Sequence, residues 1–145
     1  MIDTEIKLID SNILVYACDN SEEVKNKIAS KLLESIAKNQ MNIAFSTQNF
    51  SEFYSVVTKK IQKPMKPEEA KQIIKDLSNL SNIEILKINP ETILNAIDIS
   101  NNNKISYWDA LIASVMQENN INTIITENEV DFKKIPGLKV INPFK

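Results

Sequence analysis

Short apolar runs recur along the chain, and between them apolar residues fall three or four positions apart. The runs predict strands over residues 5–9, 42–46, 83–88, 123–126 and 138–141, and the wider spacing predicts helices. Ser11 to Ala17 reads as a short helix. Val24, Ile28, Leu32 and Ile36 recur at every fourth position behind Ser21, Glu22 and Glu23. Those three suit a helix N-terminus, so a helix is predicted to about Asn39. Phe50, Phe53, Tyr54, Val57 and Ile61 stripe a further helix, capped by Ser46 or Thr47 and broken by Pro64. Pro67 fits the first position of the next, over 67–79. Asn89-Pro90-Glu91 opens another, with Ile93, Leu94, Ile97 and Ile99 as its apolar face. Ser106 to Asp109 begins the most apolar helix, 107–116, which should be buried. Asn128 to Lys134 reads as a turn or short helix, and Pro136-Gly137 punctuates the chain before its last strand.

Short strands alternating with helices argue for an α/β domain with three layers: a central parallel sheet of four to five strands, flanked by helices. No repeat, low-complexity tract or linker interrupts the 145 residues, so a single domain over 1–145 is expected, long enough to bury a core.

Acidic residues sit where predicted strands hand over to helices. In an open parallel sheet the ligand crevice lies outside the carboxyl ends of the strands. Asp10 closes the first strand, and Glu127 and Asp131 follow the fourth. Glu52 lies early in the helix leaving the second strand. Asp109 opens the helix leading into the fourth. Each has a plain local explanation. Asp10 could cap a short helix, and Ser106 with Asp109 resembles an N-terminal capping pair. Glu52, on the flank of its stripe near Val56, and the loop acids could simply be solvated. Taken together, carboxylates at successive junctions suit a hard divalent cation.

Composition narrows the chemistry. The chain has no histidine, which removes the usual general base and the serine or cysteine triads built on it. One cysteine, Cys18, excludes an internal disulfide and a cysteine-based zinc site, and suits a reducing cytoplasm. A single glycine rules out phosphate-cradling glycine loops. Metal-activated water is then the obvious nucleophile if the protein is an enzyme. A net charge of −2 gives no global attraction to nucleic acid, so any such binding needs a local patch. The stretch Met1 to Glu5 is acidic and lacks a signal-peptide core, and no apolar run is long enough to span a membrane.

Four stretches then form a pattern: Leu8-Ile9-Asp10-Ser11-Asn12-Ile13-Leu14-Val15-Tyr16, Asn49-Phe50-Ser51-Glu52-Phe53-Tyr54, Tyr107-Trp108-Asp109-Ala110-Leu111-Ile112-Ala113 and Thr126-Glu127-Asn128-Glu129-Val130-Asp131-Phe132. With Ile135-Pro136-Gly137-Leu138 and Asn142-Pro143-Phe144 behind them, they resemble the PIN-domain family in order and spacing over nearly the whole chain. The VapC-type toxins of bacterial toxin–antitoxin pairs are the nearest likeness. The resemblance implies a five-stranded parallel sheet and a ribonuclease using one or two Mg²⁺ or Mn²⁺ ions. Asp10, Glu52 and Asp109 match the family's first three acids. Asp131, in the Asp-Phe pair, is favoured as the fourth and Glu127 is second choice. Asn12 and Thr126 match small polar positions that hold the acids or a water. The resemblance further implies a cleavage that leaves 5′-phosphate and 3′-hydroxyl ends, a homodimer, and an antitoxin whose tail fills the acidic groove.

Lys59, Lys60, Lys63 and Lys66, with Lys71 and Lys75 after them, form the main basic segment, and the first three are the candidates to meet RNA. They read either as a clamp on RNA phosphates or as a solvated helix end favoured by the helix dipole. Tyr107 and Trp108 flank Asp109 and could stack a base, but core packing is the favoured expectation. Two other functions compete with the nuclease. One is a PIN-like module that binds RNA or protein without cutting. The other is a phosphotransferase with Asp10 as covalent nucleophile, which normally wants an acid where this chain has Asn12.

Overall fold

The computed structural model describes residues 4–145. Residues 1–3, part of the acidic N-terminal stretch, lie outside the described residues. The elements run β1 (Ile6–Ile9), α1 (Ser11–Cys18), α2 (Glu23–Ala37), β2 (Asn42–Ser46), α3 (Thr47–Val57), α4 (Pro67–Ser78), β3 (Ile83–Leu86), α5 (Pro90–Asn103), α6 (Tyr107–Glu118), β4 (Thr123–Ile125), α7 (Glu129–Phe132) and β5 (Lys139–Ile141). The strands form one parallel five-stranded sheet in the order β3-β2-β1-β4-β5. Leu8 lies in register between Ala44 and Ile124.

A parallel sheet covered on both faces needs apolar side chains above and below, and the strands supply them in alternation. Leu8, Ala44 and Ile124 face a core built with α5, α6 and α7. Their neighbours Ile9, Ile43, Phe45 and Ile125 face a second core with α1, α2, α3 and α4. Ala110 to Met116 of α6 are buried without a break, as their apolar run predicts. Among the described residues no helix is long and apolar enough to cross a membrane.

Several local expectations give way to packing. The α3 helix stops at Val57, whose carbonyl takes the Met65 amide at 2.8 Å, and Ile61 reaches the core from the turn that follows. Ser21 does not cap α2; its hydroxyl donates to Asp19 Oδ1 at 2.6 Å, and Val24 is left exposed. The expected apolar face of α5 is largely outward, with Ile93, Leu94 and Ile97 exposed. The helix instead buries Thr92, Ala96 and Ile99. There the Ser114 hydroxyl donates to the Thr92 carbonyl at 2.8 Å. These slim side chains let α5 and α6 approach closely, and that contact outweighs burial of the wider face.

The topology also positions the crevice. From β1 the chain moves outward through β2 to β3, then crosses back to β4 on the other flank of β1. Strand order therefore reverses beside β1, and the carboxyl ends of β1 and β4 open onto the gap.

Candidate active site

Asp10 leaves the end of β1 with its amide bonded to the Ile125 carbonyl of β4 at 3.0 Å. It is the N-cap of α1, its Oδ1 accepting from the Ser11 amide at 2.8 Å. Its other oxygen accepts from the Thr126 hydroxyl at 2.8 Å. Asn12 Nδ2 adds a long contact to the same oxygen at 3.4 Å and a bond to Thr126 Oγ1 at 3.2 Å. The capping role and the crevice position are thus one arrangement. The cap orients the carboxylate while its second oxygen faces the β4 side.

Glu52 arrives because α3 starts directly at the carboxyl end of β2. Ser46 caps that start reciprocally with Asn49, each side chain bonding the other's amide. Glu52 lies in the second turn of α3, half-buried, and its Oε1 is buried with no hydrogen-bond partner among the described residues. Asp109 lies in the first turn of α6, where Ser106 is the N-cap and accepts from the Asp109 amide at 3.2 Å. Its Oδ2 accepts from Asn128 Nδ2 at 3.0 Å.

These three carboxyls resist ionisation. Burial pushes Asp10 above the ordinary carboxylate range, against the hydrogen bonds from Thr126 and Ser11. Burial and then the charges of Asp10 and Asp109 lift Glu52 to about 7, with Gln48 pulling the other way. Burial, a hydrogen bond shared with Asp131 and the charge of Asp10 lift Asp109 to about 7. The charge of Asp10 reaches both Glu52 and Asp109, and that of Asp109 reaches Glu52, which makes the three one electrostatic site.

The two candidates for the fourth acid part company. Asp131 on α7 stands beside Asp109, close enough for their carboxyls to share a hydrogen bond. Its neighbour Phe132 is fully buried and anchors that short helix. Glu127 turns instead to Lys25 and Tyr16, bonding Lys25 Nζ at 2.5 Å and the Tyr16 hydroxyl at 2.7 Å. Burial works against its charge, but those two hydrogen bonds win and hold it below the usual range. Lys25 also lies over the Tyr16 and Phe144 rings, which fixes the cluster further.

The lysines of the basic segment do not share one cavity. Lys60 lines the cavities beside Ser11 and Val56, one of which also reaches Glu52. Lys63 lines a separate cavity near Cys18 and Asn26, and Lys59 is exposed. The expectation for the aromatic pair is half corrected. Tyr107 packs against the core, but Trp108 is 62% exposed, because the N-terminus of α6 emerges from the core at the crevice.

Four contributors escape sequence reading: Gln48, Asn128, Tyr16 and Lys25. The position of Asn128, just past the fourth strand, is the one hint. The others act through contacts between distant segments.

A family model described as PIN domain matches residues 7–138. No curated protein matches the sequence significantly. Among solved structures, VapBC2 from Rickettsia felis, bound to a DNA fragment from their promoter, is 27% identical, with 94% of this chain and 98% of that chain covered and a TM-score of 0.66. A toxin–antitoxin complex from Klebsiella pneumoniae is 23% identical, covering 94% and 97%, at 0.63. VapBC-1 from nontypeable Haemophilus influenzae is 21% identical, covering 97% and 99%, at 0.66. The last two likenesses speak for the fold.

Proposed function

The chain belongs to the PIN-domain family, and on that footing we propose that it is a Mg²⁺- or Mn²⁺-dependent endoribonuclease, the toxin of a toxin–antitoxin pair. One observation carries the proposal: Asp10 at the start of α1, Glu52 in the second turn of α3 and Asp109 in the first turn of α6 feel one another's charge, and all three have raised proton affinity. Carboxylates that repel one another in a half-buried crevice have the chemistry of a cation site, and the orphaned Glu52 Oε1 has a lone pair to offer. Among the described residues no three acidic side chains stand close enough together to form a complete ligand set by themselves, so the cation would be held by few carboxylates and by water. Mg²⁺ suits such a site, because it keeps several waters and takes few direct carboxylates.

When bound, one or two such ions neutralise the phosphodiester, polarise its phosphoryl oxygen and activate water. Asp10, Glu52 and Asp109 would hold them. Asp131 is the favoured fourth acid, since it stands beside Asp109 while Glu127 is committed to Lys25. Thr126 and Asn12 keep Asp10 oriented and hydrogen-bonded. Asn128 holds Asp109 at the far side. Lys60 offers a positive charge to an RNA phosphate beside Glu52.

We assign one PIN-like domain over residues 1–145, acting in the cytoplasm with a cognate antitoxin, as the solved toxin–antitoxin relatives suggest. A homodimer is supported by the exposed apolar face Ile93, Leu94 and Ile97 on α5.

The test incubates the protein with mixed RNA in Mg²⁺, Mn²⁺ or EDTA, beside Asp10→Asn. Cleavage with either metal, none in EDTA, none by the variant, and 5′-phosphate ends are expected. Cleavage that survives EDTA or the substitution rejects the proposal. RNA binding without metal-dependent cleavage favours the binding module instead, and phosphate trapped covalently on Asp10 favours the phosphotransferase.

A further inference from the structure

A cavity of about 440 Å³ opens beside the acids, between α3 and the start of α6. Nothing in the hydrolysis outlined above uses most of it. Its wall carries Ser11, Gln48, Glu52, Val56, Lys60 and Trp108. An exposed tryptophan at the head of the most buried helix calls for a physical reason. Trp108 is held in place there. Gln48 Nε2 donates to its carbonyl at 3.0 Å, and the Tyr107 ring meets the indole edge-on at 5.1 Å between centroids.

The wall therefore joins a fixed aromatic face, the apolar flank of Val56, the ammonium of Lys60 and a carboxylate of the cation site. A purely apolar occupant would leave Lys60 unanswered. A nucleotide answers each group: the base lies on the indole and the phosphate meets the lysine. We propose that this cavity is a stacking subsite for an unpaired nucleotide next to the scissile phosphate, with Trp108 under the base and Lys60 on its phosphate. The inference rests on the nuclease reading of the acids. A base within a duplex is already stacked on both sides, so the subsite can take a base only where the strand is unpaired or splayed. Every base has a π face, so this subsite discriminates little among the four.

Trp108 is the only tryptophan of the chain, so its fluorescence reports the subsite directly. The full chain carrying Asp10→Asn is titrated with a single-stranded oligoribonucleotide, an abasic version and a blunt hairpin. Anisotropy of an RNA label follows binding in parallel. The single strand should quench the indole and bind at least about fivefold more tightly than the abasic strand. Adding Trp108→Ala should weaken binding by about five- to a hundredfold, and Trp108→Phe should recover most of the loss, with the salt dependence unchanged in both.

RNA that binds without quenching, and equally well in Trp108→Ala, overturns the subsite and leaves the nuclease standing. A wild-type protein that neither binds nor cleaves RNA overturns both. Indole emission that shifts on dilution of the protein alone places a second copy of the chain on Trp108, and that also overturns the subsite.

Discussion

The Thr126 hydroxyl donates to Asp10 Oδ2 at 2.8 Å, joining residues 116 positions apart at the ends of two adjacent strands. A hydroxyl has one proton and two lone pairs. Both lone pairs of Thr126 are taken, by Asn12 Nδ2 at 3.2 Å and the Asn128 amide at 3.0 Å. Its proton is therefore aimed at Asp10, and it favours the ionised carboxylate that a cation needs.

Thr126→Val keeps the shape and removes all three bonds. It should cost about 1–3 kcal/mol in unfolding free energy, because the Asn12 and Asn128 donors lose their acceptor. Asp10 should rise further above the carboxylate range, and Mn²⁺ affinity near neutral pH should fall as the proton competes better with the cation. Calorimetric titration with Mn²⁺ measures it, and unchanged affinity would show that the hydroxyl does not govern Asp10.

The metal-free protein should be more stable in mild acid. Asp10, Glu52 and Asp109 hold protons more tightly folded than unfolded, the latter two up to about 7. The native state binds the extra protons, so this contribution is fully present below about pH 4 and lost as pH rises through about 7. In EDTA the melting temperature should fall between pH 5 and pH 8, and Mn²⁺ should restore it at pH 8 by binding only the native state. At pH 8 Glu52→Gln should gain about 1 kcal/mol after allowance for solvent screening, or about 3 °C. A melting temperature indifferent to both pH and Mn²⁺ would dismiss the cluster.

The two rivals for the fourth acid separate cleanly by mutation. Asp131→Asn removes the neighbour that raises Asp109, so the acid limb of the cleavage profile should move to lower pH while the rate drops. Glu127→Gln removes the charge that answers Lys25 and one of the two acceptor oxygens, costs about 1 kcal/mol of stability, and should spare most of the cleavage. The reverse outcome would transfer the role to Glu127.

Lys60→Glu should weaken RNA binding and reduce the slope of log affinity against log salt by about 0.7, the value of one phosphate contact on a single strand. Lys63→Glu, in a cavity away from Glu52, should change the slope less. Equal effects would restore the clamp of consecutive lysines.

Leu94→Glu places a charge in the exposed α5 patch. Sedimentation should show a dimeric wild type and a monomeric variant with unaltered circular dichroism. A wild type that sediments as a monomer at all accessible concentrations would exclude this dimer.

Much of the fold is legible in the order of residues because its determinants are local. Helix starts at Ser46, Pro67, Asn89 and Ser106 follow from caps and N1 prolines. The strands follow from short apolar runs that must be covered on both faces. Asp10, Glu52 and Asp109 are legible for the same reason, since each stands at a junction that the pattern marks. The Asp10 cap and its place at the crevice did not compete: the cap is how the carboxylate is aimed.

What the sequence by itself determined is the series of elements and the three acids at their junctions, since both follow from spacing and capping over a few residues. Tertiary structure alone decided the rest. It chose Lys25 and Tyr16 for Glu127 and set Asp131 between Asp109 and Lys134. It turned Trp108 outward and exposed Ile93, Leu94 and Ile97. These outcomes depend on strand order and on which face each helix presents. Both are set by packing between segments far apart in the chain, where no local pattern carries the information.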